Sequence, residues 1–205
     1  IHPARLVRGL ARAVERRGVS IYEQTRVTAI EPGLVRTDHG TVRAPRVVRA
    51  TEAWTSQIPG YTRAIAPVYS LMLATEPLPA EVWDRIGLRR RETFSDHRHL
   101  IIYGQRTVDD RFAFGGRGAP YHLRSAIRPE FDRDPAVFGE LWRVLREMFP
   151  AVSGYAVTHT WGGALAVPRD WTVSMGYDAA RGFAWSGGYL GDGVTMSFTG
   201  GRALA

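Results

Sequence analysis

At 205 residues the chain can form one large domain or two small ones, with a sizeable buried core. Hydrophobic residues make up 44% and charged residues 23%, and with 6 Trp, 8 Tyr and 8 Phe this composition excludes a disordered chain. With no Cys and no Lys, the sequence excludes disulfides, thiolate metal ligands, a cysteine nucleophile, a Schiff-base lysine and a P-loop lysine within these residues. No apolar run reaches the roughly 20 residues that span a bilayer, and no leader pattern is visible, so the cytoplasm is the default expectation. The formal charge is +7 and every basic residue is Arg, but acids lie among them, as Glu92 does after Arg89-Arg90-Arg91. That scatter favours a solvated surface over a nucleic-acid patch. The opening Ile1-His2-Pro3 has no initiator Met and leads straight into a helical pattern, which reads as the inside of a longer protein.

Residues Pro3 to Arg17 have helical spacing, with Leu6, Leu10, Ala13 and Val14 on one face, Pro3 in the first turn and Gly18 at the stop. Val19–Tyr22 and Val27–Ile30 read as strands. Leu34–Thr37 pairs with Thr41–Ala44 across Asp38-His39-Gly40. Arg46 to Ala50 reads as a buried strand. Beyond Ile58-Pro59-Gly60 the pattern changes: Val68–Ala74 is a strand, and Leu100–Tyr103 and Arg111–Gly115 form a pair joined at Asp109-Asp110. Pro135–Phe149 is a strongly amphipathic helix with Asp134 as its N-cap. Val157–Trp161, Val173–Gly176 and Phe183–Ser186 read as strands, and Val194–Ala205 as a final helix. His97 and His99 near Asp96 lack a third and fourth ligand, so no metal site is expected.

The most informative stretch is Phe183-Ala184-Trp185-Ser186, which runs into Gly187, Gly188, Gly191 and Gly193 and then a helix. Glycines permit close backbone approach to a ligand, and a helix start offers free N–H groups and a positive dipole end. Such a site stabilises negative charge. The same residues also suit a ligand-free strand-to-helix turn, and local sequence alone leaves both readings open.

Gly188-Tyr189-x-Gly191-x-Gly193-Val194 before a C-terminal helix resembles the flavin-ring segment of the D-amino-acid oxidase superfamily, which includes glycine, sarcosine and gamma-glutamylputrescine oxidases. Other stretches resemble that family in the same chain order. They are His2-Pro3 to Leu10 with Gly18, Thr25 to Ile30, and Arg46-Val47-Val48-x-Ala50-Thr51-x-Ala53-Trp54. Tyr103 to Thr107, Phe114-Gly115-Gly116-Arg117-Gly118 and Trp161-Gly162-Gly163 follow. The resemblance implies an α/β chain: a partial FAD-binding, Rossmann-like domain from residues 1–62 and 166–205, and an antiparallel-sheet substrate domain with a long helix from residues 63–165. It implies FAD as cofactor, with Val27, Ala50, Thr51, Trp54, Gly188, Gly191, Asp192, Gly193 and Val194 at the cofactor. Tyr103, Trp161 and Arg117 are implied at the substrate, and Arg106 and Arg169 are further candidates for a substrate carboxylate.

The implied reaction is oxidation of a small amine or amino acid, with hydride passing to the flavin. The implied G-x-G-x-x-G segment for the pyrophosphate does not occur here, so it is expected upstream and the chain reads as truncated. Losing a first βαβ unit would bare a strand edge, so association into an oligomer is expected. Sarcosine-oxidase-like members use a lysine near the flavin; its absence leaves oxidase against dehydrogenase open. The competing readings are a non-catalytic interaction domain and a basic nucleic-acid-binding protein.

Overall fold

The computed structural model describes residues 2–99, 101–117 and 121–205, and the backbone but not the side chain of Arg117. The chain divides into two compact units, residues 1–64 with 168–205, and residues 65–167.

In the first unit, α1 (Pro3–Glu15) opens with His2 as N-cap, its ring nitrogen accepting from Arg5 N at 3.4 Å, and with Pro3 in the first turn. No α1 residue is buried; Leu6 and Leu10 keep 45% and 60% of their surface. The chain from Val19 to Tyr22 is irregular, not the strand its β-branched residues suggest. Those side chains are exposed, and among the described residues no strand pairs with the segment, so it has no ladder to join. β1 (Val27–Glu31), β2 (Leu34–Thr37) and β3 (Thr41–Arg43) form an antiparallel meander. Gly33, at φ +71°, makes the first turn, a conformation that Gly adopts without steric cost. β4 (Val47–Arg49) runs parallel to β11 (Phe183–Gly187), which pairs antiparallel with β10 (Ser174–Asp178).

β4 is not the fully buried strand expected. Val47 is buried, but Val48 is 58% exposed because β4 ends its sheet and pleating turns alternate residues outward. The Arg49 guanidinium stacks over Tyr61 at 4.5 Å, and burial pulls it below its ordinary pKa. α4 (Gly193–Leu204) packs on β11, and Gly200 permits this: a Cβ there would lie 2.3 Å from Ser186 Oγ.

The second unit is a five-stranded sheet in the order β6 (Thr93–Ser95), β7 (Ile102–Arg106), β8 (Phe112–Arg117), β5 (Ile65–Thr75), β9 (Val157–Pro168). α3 (Pro135–Met148) packs on one face. That face holds the core: Tyr69, Leu71 and Leu73 of β5, Phe112 and Phe114 of β8, and Leu141, Val144 and Leu145 of α3. The short α2 (Ala80–Ile86) adds Val82 and Trp83, whose ring stacks on Phe112 at 5.4 Å and whose Nε1 donates to Asp110 O at 3.0 Å. Seven residues between Pro79 and Gly87 show too little periodicity to be read as a helix.

Asp134 caps α3 as expected, its carboxylate accepting from Ala136 N at 2.9 Å and Val137 N at 3.3 Å. Replacing Asp134 by Ala leaves two helix-start donors without their acceptor. The second unit should lose about 1 kcal/mol, within the 0.5–2 range for such caps. Chemical denaturation measures this, and Asp134→Asn should recover most of the loss.

Candidate active site

The first unit contains a cavity of about 450 Å³, within the size range of small-molecule sites. Thr25, Arg26 and Val27, at the head of β1, supply one wall. Ala50, Thr51 and Trp54, where β4 gives way to a short 3₁₀ turn (Glu52–Gln57), supply another. The turn is internally bonded: Thr51 Oγ1 and Thr55 Oγ1 lie 2.8 Å apart, and Ser56 Oγ donates to Ala53 O at 3.1 Å. Trp54 is 59% exposed and lends the cavity a broad apolar face. Val27, Ala50, Thr51 and Trp54, residues 23–27 positions apart, are thus brought to one cavity.

The second group of expected residues forms the turn from β11 into α4. Gly188 (φ +74°), Leu190 (φ +58°) and Gly191 (φ +116°) hold left-handed backbone, and Asp192 N donates to Tyr189 O at 2.9 Å. The turn is fixed from below by Ser186 Oγ and the Tyr189 hydroxyl, 2.6 Å apart. Asp192 occupies the N-cap position, yet its side chain makes no capping hydrogen bond. The first turn of α4, with Gly193 and Val194, therefore presents N–H groups that no capping side chain satisfies.

One functional residue escapes sequence reasoning. Glu52 lines the cavity, and its Oε1 accepts from Tyr189 N at 3.1 Å, tying the cavity wall to the glycine turn. It does so from φ +42°, uncommon for a residue with a Cβ. Its only signal is its place between Thr51 and Ala53, inside the stretch that resembles the family.

In the second unit, Tyr103 and Trp161 share the sheet face opposite α3. Tyr103 is in register with Gly115, whereas its neighbours Ile102 and Phe114 face the core. Gly162 lies against Leu71 on the helix side, so pleating turns Trp161, 42% exposed, to the other. Arg117 ends β8, but its side chain, like all of Gly118, lies outside the described residues. Arg106 is not a ligand for anything on the Tyr103 face. It points to the opposite face, where its guanidinium stacks on Trp83 at 4.9 Å and pairs with Asp110 at 2.7 Å. Arg169 is likewise engaged, donating to Arg63 O at 2.9 Å. No cluster of three His, Asp or Glu side chains suited to a metal occurs among the described residues, and no described helix is long and apolar enough to cross a membrane.

The architecture is that of an FAD-dependent oxidoreductase: an α/β chain with a partial Rossmann-like unit and an antiparallel-sheet unit carrying a long helix. Residues 1–205 match the family described as FAD dependent oxidoreductase, and the chain belongs to it. The chain is 28% identical over 204 residues to a probable oxidoreductase OrdL of Rhizobium meliloti (strain 1021), covering 96% of this chain and 44% of that protein. It is 28% identical over 210 residues to the gamma-glutamylputrescine oxidoreductase of Escherichia coli (strain K12), covering 100% of this chain and 47% of that one. Among solved structures it is similar to glycine oxidase from Geobacillus kaustophilus, with TM-score 0.73 at 17% identity over 91% of this chain and 48% of that one. L-proline dehydrogenase from P. horikoshii gives 0.70 at 20% identity over 89% and 49%. The chain spans about half the length of the relatives it matches.

FAD is the cofactor of this family, and the residues present fit it. The cavity suits a flat heteroaromatic group lodged between an apolar wall and backbone, and the α4 start suits an electron-rich one.

Proposed function

We propose that the intact protein oxidises a small amine or amino acid. The observation that carries this reading is the joining of two family-like segments: Glu52 lines the cavity and holds the turn that opens α4. When bound, FAD supplies a two-electron acceptor for the hydride on the carbon beside the substrate nitrogen. Val27, Ala50, Thr51 and Trp54 would hold its adenosine part. Gly188 and Gly191 would let the backbone approach its ring, and Gly193 and Val194 would direct N–H groups at negative charge on it, while Asp192, whose N–H is held by Tyr189 O, shapes the turn. Tyr103 and Trp161 orient the substrate from the sheet, and Arg117 is the proposed partner of a substrate carboxylate.

The test is the visible absorbance spectrum of the purified protein after FAD is added and unbound FAD removed. A retained flavin spectrum that bleaches on anaerobic addition of an amine or amino acid is the expected result. A protein that retains flavin but is bleached by none of them loses the substrate assignment. If the intact protein stays colourless, the cofactor roles given to these residues fall as well.

A further inference from the structure

The cavity and the β11-to-α4 turn are linked by a residue whose backbone is unusual for its type. Glu52 sits at φ +42°, a conformation that Gly adopts freely and a residue with a Cβ rarely does. Such outliers persist where the surroundings hold them, and they concentrate at functional sites. From this backbone the Glu52 side chain reaches from the cavity wall to the end of β11. Its Oε1 accepts from Tyr189 N at 3.1 Å, and a Cβ on Gly187 would meet the same oxygen at 3.6 Å.

The two ends of this link differ in stiffness. The 3₁₀ turn that carries Glu52 is braced: Thr51 Oγ1 and Thr55 Oγ1 lie 2.8 Å apart, Ser56 Oγ donates to Ala53 O at 3.1 Å, and Gln57 Nε2 donates to Ser56 Oγ at 2.9 Å. Thr51, Trp54 and Gln57 also line the cavity, so a ligand there bears on the element that carries Glu52. At the far end, Gly187, Gly188, Gly191 and Gly193 give the segment after β11 other conformations at little steric cost. The observed one, with Gly188, Leu190 and Gly191 at positive φ, is pinned at Tyr189. The Ser186 hydroxyl and the Asp192 N–H pin it locally, and the Glu52 carboxylate does so from 137 residues away.

We infer that Glu52 is a positioning residue that makes the cavity and the turn bind cooperatively. An adenosine group in the cavity fixes the Glu52 carboxylate, and the carboxylate selects the turn conformation that receives the flavin ring. The inference rests on the reading of cavity and turn as two ends of one FAD site, and it adds a coupling between them. Linkage makes the effect reciprocal, so a flavin on the turn tightens the cavity for adenosine by the same factor. The bond that carries the coupling limits its size, and a hydrogen bond to a charged group allows roughly tenfold.

The probes are AMP and riboflavin, which together make FAD less one phosphate group and so leave each other room. Both are titrated into the intact protein stripped of flavin, with riboflavin binding read from its fluorescence. AMP should tighten riboflavin binding about tenfold, and AMP alone should slow hydrogen exchange at the Tyr189 amide by about the same factor. In Glu52→Ala both effects should vanish while AMP still binds. Glu52→Gln keeps an acceptor oxygen and should recover most of them. A merely structural role for Glu52 would weaken both probes and leave their coupling unchanged. No coupling in the unmodified protein overturns the inference, as does coupling undiminished in Glu52→Ala, or AMP binding that leaves the Tyr189 amide unaffected. If Glu52→Ala does not fold, Glu52→Asp, one methylene shorter, takes its place. Where a fragment binds too weakly to titrate, FAD itself decides. Trp54→Ala in the cavity and Gly188→Ala in the turn must then weaken FAD non-additively with Glu52 present and additively in its absence, and additive losses in both backgrounds overturn the inference. A protein that shows the coupling but is bleached by no amine or amino acid loses the oxidation reading and keeps this one. A protein that is bleached but shows no coupling loses this one alone.

Discussion

Gly188→Ala is expected to cost the protein its hold on FAD while leaving the second unit folded. Gly188 sits at φ +74°, where an L side chain costs roughly 1–2 kcal/mol. Its Cβ would stand 2.3 Å from Pro168 Cγ and 3.1 Å from Cδ. A proline ring cannot rotate away as the end of a flexible side chain can, and overpacking of this kind costs about 1–3 kcal/mol more. The turn cannot relax freely either, because Tyr189 N is held by Glu52 and the Tyr189 hydroxyl by Ser186. The backbone should therefore shift at Leu190 to Asp192, the residues that aim the α4 start. A 2 kcal/mol loss of this geometry corresponds to about a thirtyfold weaker FAD dissociation constant, at the tenfold per 1.4 kcal/mol that governs affinity. Flavin titration followed by fluorescence measures it. Affinity within threefold of the original would show that this turn does not hold the cofactor.

Phe112→Ala should be the most damaging single truncation in the second unit. Phe112 is fully buried and touches the rings of Trp83, Phe94, Phe114 and Phe149 at centroid distances of 5.4, 6.1, 6.2 and 5.0 Å. Its removal leaves a hole bounded by strands on one side and by α2 and the end of α3 on the other. Such walls do not collapse together, so the cost should lie near the 3–5 kcal/mol typical of Phe→Ala in a packed core. Against a usual total of 5–15 kcal/mol, this leaves the unit marginal. Urea unfolding followed by tryptophan fluorescence, with Trp83 as the local reporter, measures the loss. A change below about 1 kcal/mol would mean the aromatic cluster repacks, contrary to close packing of the interior.

The long periodic elements were legible in the sequence. The amphipathic pattern and Asp134 cap of α3 lie where expected, as do the β2–β3 turn and the β11-to-α4 glycine segment. What misled was local propensity without a partner. Val19–Tyr22 has strand-forming residues but pairs with no strand among the described residues, and Val48 looks buried until β4 proves to end its sheet. At the site, the residue types that line the cavity and shape the turn could be found because they form short recognisable segments. Glu52 could not, because its role depends on Tyr189, 137 residues away. Arg106 misled for the converse reason: strand alternation decides which face an arginine serves, and its register was invisible before β7 and β8 were paired.

That same separation bears on how the chain is made. The second unit is one continuous stretch, residues 65–167, and its strands can pair as soon as they leave the ribosome. The first unit is split, and β4 waits for β11 before its parallel ladder exists. At about 5–20 residues per second, a 137-residue gap means roughly 7–27 s of synthesis during which the early half lacks its partner. Over that interval Val47, buried in the folded unit and in register with Phe183 of β11, stands uncovered, so the nascent chain is most exposed to aggregation and to chaperone capture while its continuous unit is already folded.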